Sequence, residues 1–172
     1  DPRMVLLMAG SGTQEEALRS AAAAKGAKAI RFLGRVPQSQ MADLLATADA
    51  AYVSLAQHPL STVTMPSKTQ STLAAGRAIL VAATGDVATL VESHRVGFTA
   101  LPGDPTSIAQ AIRAVLQTGR CGLADMGRTA RRLYETDFSV DRTTTQVETL
   151  LGEVAGVARR GLLHRTKVGS RA

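Results

Sequence analysis

Two kinds of apolar pattern alternate along this chain. Short, nearly continuous apolar runs over residues 4–9, 29–33, 51–55, 78–83 and 97–101 predict five strands. Helical spacing fills the intervals, over about 14–25, 39–48, 67–76 and 87–94. In the second of these, Met41, Leu44, Leu45 and Ala48 follow the i, i+3, i+4, i+7 spacing of a buried helix face. From residue 104 onwards the pattern is helical. Asp104-Pro105 is a start signal, an N-cap acid followed by proline at the first helical position, and Ile108, Ala111, Ile112, Val115 and Leu116 form the stripe behind it. Two further helices are predicted over 123–135 and 140–157. Strands that are apolar at successive positions are buried on both faces. The alternation therefore predicts an α/β fold, a Rossmann-like parallel sheet with helices on both faces, formed by a single domain over residues 1–157.

Ligands of such sheets bind beyond the carboxyl ends of the strands. That directs attention to the loops at 10–13, 34–38, 56–66 and 84–86. Gly10-Ser11-Gly12 follows the first strand and opens a helix, where glycines admit a close ligand and the helix offers free N–H groups to an anion. A dinucleotide fingerprint would place glycine at the position of Glu15, and an acid where Phe32-Leu33-Gly34-Arg35 stands. No phosphate-binding G-x-x-x-x-G-K-[ST] loop occurs. Spacing alone leaves this turn open between a structural and a ligand-binding role.

The stretch MPSKTQSTLAAGRAILVAAT, residues 65–84, says more. Ser67 with Gln70 three residues on is expected to form a capping box, leaving Lys68 at the first helical position. The helix macrodipole disfavours a cation there. A lysine beside free first-turn donors is a means of holding phosphate. The other reading is a capped helix with a surface lysine, and spacing does not decide between them. Ala74, Ala75 and Gly76 keep this helix slim enough to pack closely on the sheet.

Composition excludes several classes. The 172 residues suffice for one buried core, and no apolar run approaches the roughly 18 residues of a membrane span. Cys121 is the only cysteine, so no disulfide framework exists and a reducing compartment is expected. No signal peptide is visible. Asp1-Pro2 does not read as a translation start, so the chain is expected to be part of a longer one, N-terminally incomplete. The net charge is +6, of which Arg159, Arg160, Arg165, Lys167 and Arg171 contribute five with no acid among them. Residues 158–172 are thus a basic tail, expected to be disordered and solvated or to touch an anionic membrane at about 1 kcal/mol per basic residue. Aromatic residues make up 3% and tryptophan is lacking, which argues against nucleic acid as a partner. His58, His94 and His164 lie far apart, no D-x-D occurs, and the acids are scattered singly. No metal site and no catalytic pair are predicted.

In order, "LLMAGSGTQEEAL", "IRFLGRVPQSQMADLLATADAAYVSL", "MPSKTQSTLAAGRAILVA", "VGFTALPGDPTSIAQAI" and "RRLYETDFS" resemble the C-terminal, nucleotide-sugar-binding half of family 4 glycosyltransferases with the GT-B fold. The likeness is strongest to colanic-acid and exopolysaccharide transferases. The resemblance implies that Gly10 and Gly12 lie near the diphosphate or donor sugar, and that Gly34, Arg35 and Val36 frame the base through backbone groups. Leu60, Ser61, Thr62, Val63, Thr64 and Met65 would face the donor sugar. Ser67, Lys68 and Thr69 would receive the diphosphate leaving group. Most members carry E-x7-E around this helix; Val63 and Ser71 hold those positions here, so a ribose contact would fall to the Ser71 hydroxyl.

The implied activity is retaining, metal-independent transfer of a hexosyl-type sugar from a nucleotide diphosphate-sugar to a lipid-linked glycan acceptor. The donor is then a substrate, and no cofactor is implied. The acceptor-binding domain would lie upstream of this chain, with no catalytic residue in the chain itself. The implied location is cytoplasmic, peripheral at the inner face of the plasma membrane. Two alternatives are a GT-B-related UDP-sugar epimerase and a non-catalytic nucleotide-binding α/β module. The first needs acid–base residues in its cleft. A receiver-like module needs acids at its strand ends, where Gly10, Gly34 and Leu55 stand.

Overall fold

The computed structural model describes the backbone of residues 4–168 and the side chains of residues 4–156. Strands and helices alternate through β1 (Leu6–Ala9), α1 (Glu15–Ala24), β2 (Ile30–Gly34), α2 (Gln38–Thr47) and β3 (Ala50–Ser54). A 3-10 turn (Pro59–Thr62) leads to α3 (Ser67–Ala74), β4 (Ala78–Ala82), α4 (Asp86–Ser93) and β5 (Gly97–Ala100). Then come α5 (Pro105–Leu133), a π-helical turn (Tyr134–Phe138) and α6 (Val140–Val168). All five predicted strands form, and every pairing is parallel. They make two sheets, β1-β2 and β3-β4-β5, with no ladder between β1 and β3.

The core belongs to the second sheet. Its middle strand, β4, is buried at every residue. On one face Val53, Ile79 and Val81 pack with Leu73 of α3, Val87 and Val91 of α4, and Ala130 and Leu133 of α5. On the other, Leu80, Ala82 and Ala100 pack with Ala111 of α5, joined by the partly buried Phe98, Ile108 and Val115. Each fully buried aliphatic side chain contributes about 1.5–3 kcal/mol. Helix α5 serves both faces because it breaks at Gly119, whose φ of 68° and ψ of 172° are open only to glycine without strain. The two predicted helices over this region therefore follow one another directly. Asp104 caps α5 as expected, its Oδ1 accepting from Thr106 N–H at 2.8 Å with Pro105 in the first turn.

The first sheet is packed differently. Helix α1 lies over the face of Ile30 and Phe32, with the Arg19 guanidinium 4.6 Å from the Phe32 ring centroid. Among the described residues before Val53, none is buried. Helix α2 is held at its end, where the Arg77 guanidinium donates to Ala46 O and Arg120 lies 3.4 Å from Asp49.

Helix α6 continues to Val168, past residue 158, where a disordered tail was expected. No proline interrupts the sequence between 140 and 168, so backbone bonding simply propagates. Residues 169–172 lie outside the described residues. No helix among the described residues is long and apolar enough to cross a membrane.

Candidate functional site

Parallel pairing puts the loops after β1, β2, β3 and β4 at the carboxyl ends of their strands, and two clusters form there. In the first, Gly10 N–H donates to Gly34 O at 2.7 Å, just beyond a register shift at Met8/Ala9. Arg35 Nε donates to Ser11 Oγ at 3.1 Å. The Gly10-Gly12 turn and the Gly34-Val36 segment, distant in sequence, thus meet through one backbone and one side-chain bond. Gly10 and Gly34 have φ of 123° and 67°, and a Cβ on Gly10, Gly12 or Gly34 would point into open space. Backbone conformation requires glycine at positions 10 and 34, and all three glycines leave room beside the backbone. Arg35 is exposed and brings a positive charge to this end.

In the second cluster, His58 Nδ1 accepts from Leu60 N–H at 3.2 Å and caps the 3-10 turn. Thr62 Oγ1 donates to Pro59 O at 2.7 Å, and Thr64 Oγ1 donates to Leu60 O. Gln57 Nε2 donates to Pro102 O at 3.2 Å, tying the start of this loop to the end of β5. Met65 packs against the core, while Leu60 and Val63 are 67% and 68% exposed. The loop rests on Gly85, where α4 begins. It therefore faces outwards from a fixed base.

Helix α3 starts one residue earlier than expected. Pro66 is its N-cap and Ser67 its first helical residue, so no capping box forms and no side chain caps the helix. Proline supplies the extended ψ of 136° and a carbonyl that accepts from Thr69 N–H at 2.9 Å, which displaces Ser67 from the capping position. Lys68 is second in the helix rather than first. The N–H groups of Ser67 and Lys68 keep no protein partner among the described residues. An uncapped N-terminus of this kind receives anions better than a boxed one. Lys68 is exposed and has no carboxylate within ion-pair distance among the described residues. Thr69 is fully buried, and its Oγ1 has no hydrogen-bond partner among the described residues. Ser71 lies exposed on the next turn.

The structure thus gathers Gly10, Gly12, Gly34, Arg35 and Val36 at one sheet, and residues 60–69 with Ser71 at the other. No hydrogen bond joins the two groups among the described residues. Sequence reasoning gave no role to Ser11 or Gly85, although both lie in loops it singled out. Ser11 had a signal in its position between two glycines; Gly85 had one in the Thr-Gly-Asp that follows β4. Among the described residues no three His, Cys, Asp or Glu side chains converge as metal ligands.

Parallel strands, crossing helices and an open helix N-terminus at the carboxyl ends define a Rossmann-like α/β domain with an anion-receptive end. Residues 1–118 match the family of glycosyl transferases group 1, and the chain belongs to that family. Glycogen synthase of Mycobacterium tuberculosis is 29% identical over 161 residues, covering 93% of this chain and 36% of that protein. Among solved structures, HepE of Anabaena in complex with UDP-glucose superposes with a TM-score of 0.73 at 21% identity, over 89% of this chain and 42% of its own. Sucrose-phosphate synthase of Thermosynechococcus elongatus gives 0.74 at 18% identity, over 88% of this chain and 39% of its own. The fold is that of GT-B glycosyltransferases. The chain spans about a third of the glycogen synthase and about two fifths of the solved structures.

Proposed function

We propose that this chain is the C-terminal, donor-binding domain of a retaining glycosyltransferase that acts on nucleotide diphosphate-sugars. The observation that carries the reading is the α3 N-terminus, with two free N–H groups, Lys68 beside them and a buried, unpartnered Thr69 hydroxyl. As the bond from the anomeric carbon to the diphosphate breaks, its electron pair leaves with the phosphate oxygen. Preorganised donors and one cation meet that charge without a metal. Gly10 and Gly12 border the diphosphate, while Gly34, Arg35 and Val36 border the base. The loop Leu60, Ser61, Thr62, Val63, Thr64 and Met65 faces the sugar, and Ser71 reaches the ribose. Family membership supports the reading, as does a structural neighbour whose bound ligand is UDP-glucose.

The acceptor is a lipid-linked glycan in exopolysaccharide or cell-envelope synthesis. Transfer occurs on the cytoplasmic side, with the acceptor domain supplied from outside these residues and the basic C-terminal segment touching anionic lipid. The chain alone binds donor and does not transfer. A thermal-shift screen of UDP-, GDP- and ADP-sugars tests this. Saturating donor of one base class should raise the melting temperature by about 5 °C, and the parent nucleoside at the same concentration should raise it by less. Turnover by the isolated chain, or indifference to every nucleotide, would refute the proposal.

A further inference from the structure

We infer that the donor sugar is a 6-deoxyhexose, whose C6 methyl group rests on Leu60 and Val63. The inference rests on the proposed function, in which residues 60–65 face the sugar, and adds what that loop can recognise. Residues 59–66 read PLSTVTMP, with no charged and no amide side chain. Their polar side chains are three hydroxyls. Thr62 and Thr64 spend their protons on the loop itself, donating to Pro59 O and Leu60 O. Neither can then donate to a sugar oxygen. His58 is engaged with the same turn, its Nδ1 accepting from Leu60 N–H at 3.2 Å.

What the loop turns outward is apolar. Leu60 and Val63 are 67% and 68% exposed. They stand three residues apart along the 3-10 turn and its C-cap, where side chains at i and i+3 eclipse, so they form one patch. The patch is held outside the core, because Thr62 rests on Gly85 and Met65 already fills the space below. Leu101, 57% exposed just after β5, lies at the same end of the sheet, where Gln57 Nε2 donates to Pro102 O.

Size and chemistry select the occupant. A stable protein interface needs roughly 800 Å² per partner, far more than two side chains offer. A hydroxymethyl group laid on this patch would trade water for a surface with no partner for its hydroxyl, and an unpaired polar group is costly. A methyl group gains from the same contact. C6 is the carbon of a hexose that stands outside the ring and can exchange hydroxymethyl for methyl without altering it.

Calorimetric titration of residues 1–172 with donor pairs that differ only at C6 tests the inference. The pairs are UDP-glucose with UDP-6-deoxyglucose, ADP-glucose with ADP-6-deoxyglucose, and GDP-mannose with GDP-6-deoxymannose. In the pair whose base the chain accepts, the 6-deoxy donor should bind roughly five- to tenfold more tightly. Val63→Gln, which offers a hydroxyl its partner at an exposed position, should bring that ratio to one or below, while Val63→Ile should keep it. Equal binding within the pair, tighter binding of the hydroxylated donor, or a ratio unmoved by Val63→Gln would overturn the inference and leave the donor-binding reading standing. So would tighter binding of UDP-N-acetylglucosamine than of UDP-6-deoxyglucose, which assigns the patch to an acetyl methyl. Binding of none of these donors would refute the donor-binding reading, and the inference with it.

Discussion

The carbonyl oxygen of Thr62 lies 2.0 Å from the position a Cβ would occupy on Gly85, whose φ is 80°. The turn after β3 and the start of α4 are therefore in direct backbone contact, and residues 60–65 are held against the end of β4. Gly85→Ala adds both a steric clash and a left-handed conformation that alanine resists, costing about 1–3 kcal/mol or more. For a domain of this size the melting temperature should fall by roughly 3–10 °C. On the proposed function, affinity for a UDP-sugar should fall further than affinity for UDP, because the displaced loop faces the sugar. Calorimetry with both ligands measures the difference.

Gly34 tests the other cluster. With φ of 67° and its carbonyl accepting from Gly10, it sets the meeting of the two first loops. A β-branched residue is strained there. Gly34→Val should weaken nucleoside and nucleoside diphosphate by the same factor, roughly tenfold, since the base contact is common to both. A loss confined to diphosphates, read by competition titration, would remove Gly34, Arg35 and Val36 from the base.

Asp104 provides a prediction about stability alone. Its carboxylate caps α5, accepting from Thr106 N–H, and makes no hydrogen bond to either cluster among the described residues. Asp104→Ala should cost about 1 kcal/mol, lowering the melting temperature by about 2–4 °C while leaving nucleotide affinity unchanged. A thermal melt and a titration on the same sample check both halves.

The strands and most helices were legible because each carries its own period, and the Asp104 cap because its geometry is local. The start of α3 was misread for a local reason too. A serine and a glutamine three apart describe a capping box, but Pro66 has no N–H and already holds the extended conformation a cap requires. Ser67 was thereby drawn into the helix. The division into two sheets was not legible, since β1 and β3 have the same apolar pattern whether their edges are paired or free. Nor was the Gly119 break separable from an ordinary loop between helices, because what fixes it is the need to reach both faces of β4. Ser11 and Gly85 act through partners 24 and 23 residues away, Arg35 and Thr62, and no short window of sequence contains both members of either pair.

The claim on which the proposed function rests is that the α3 N-terminus, with Lys68, receives a diphosphate. Calorimetric titration of UDP and uridine into the unaltered chain and into Lys68→Ala tests it most directly. Loss of one charge-assisted contact should weaken UDP by about tenfold or more and leave uridine unchanged, with the melting temperature moving by no more than about 2 °C because Lys68 is exposed. Equal weakening of UDP and uridine, or no weakening of UDP, would contradict the account.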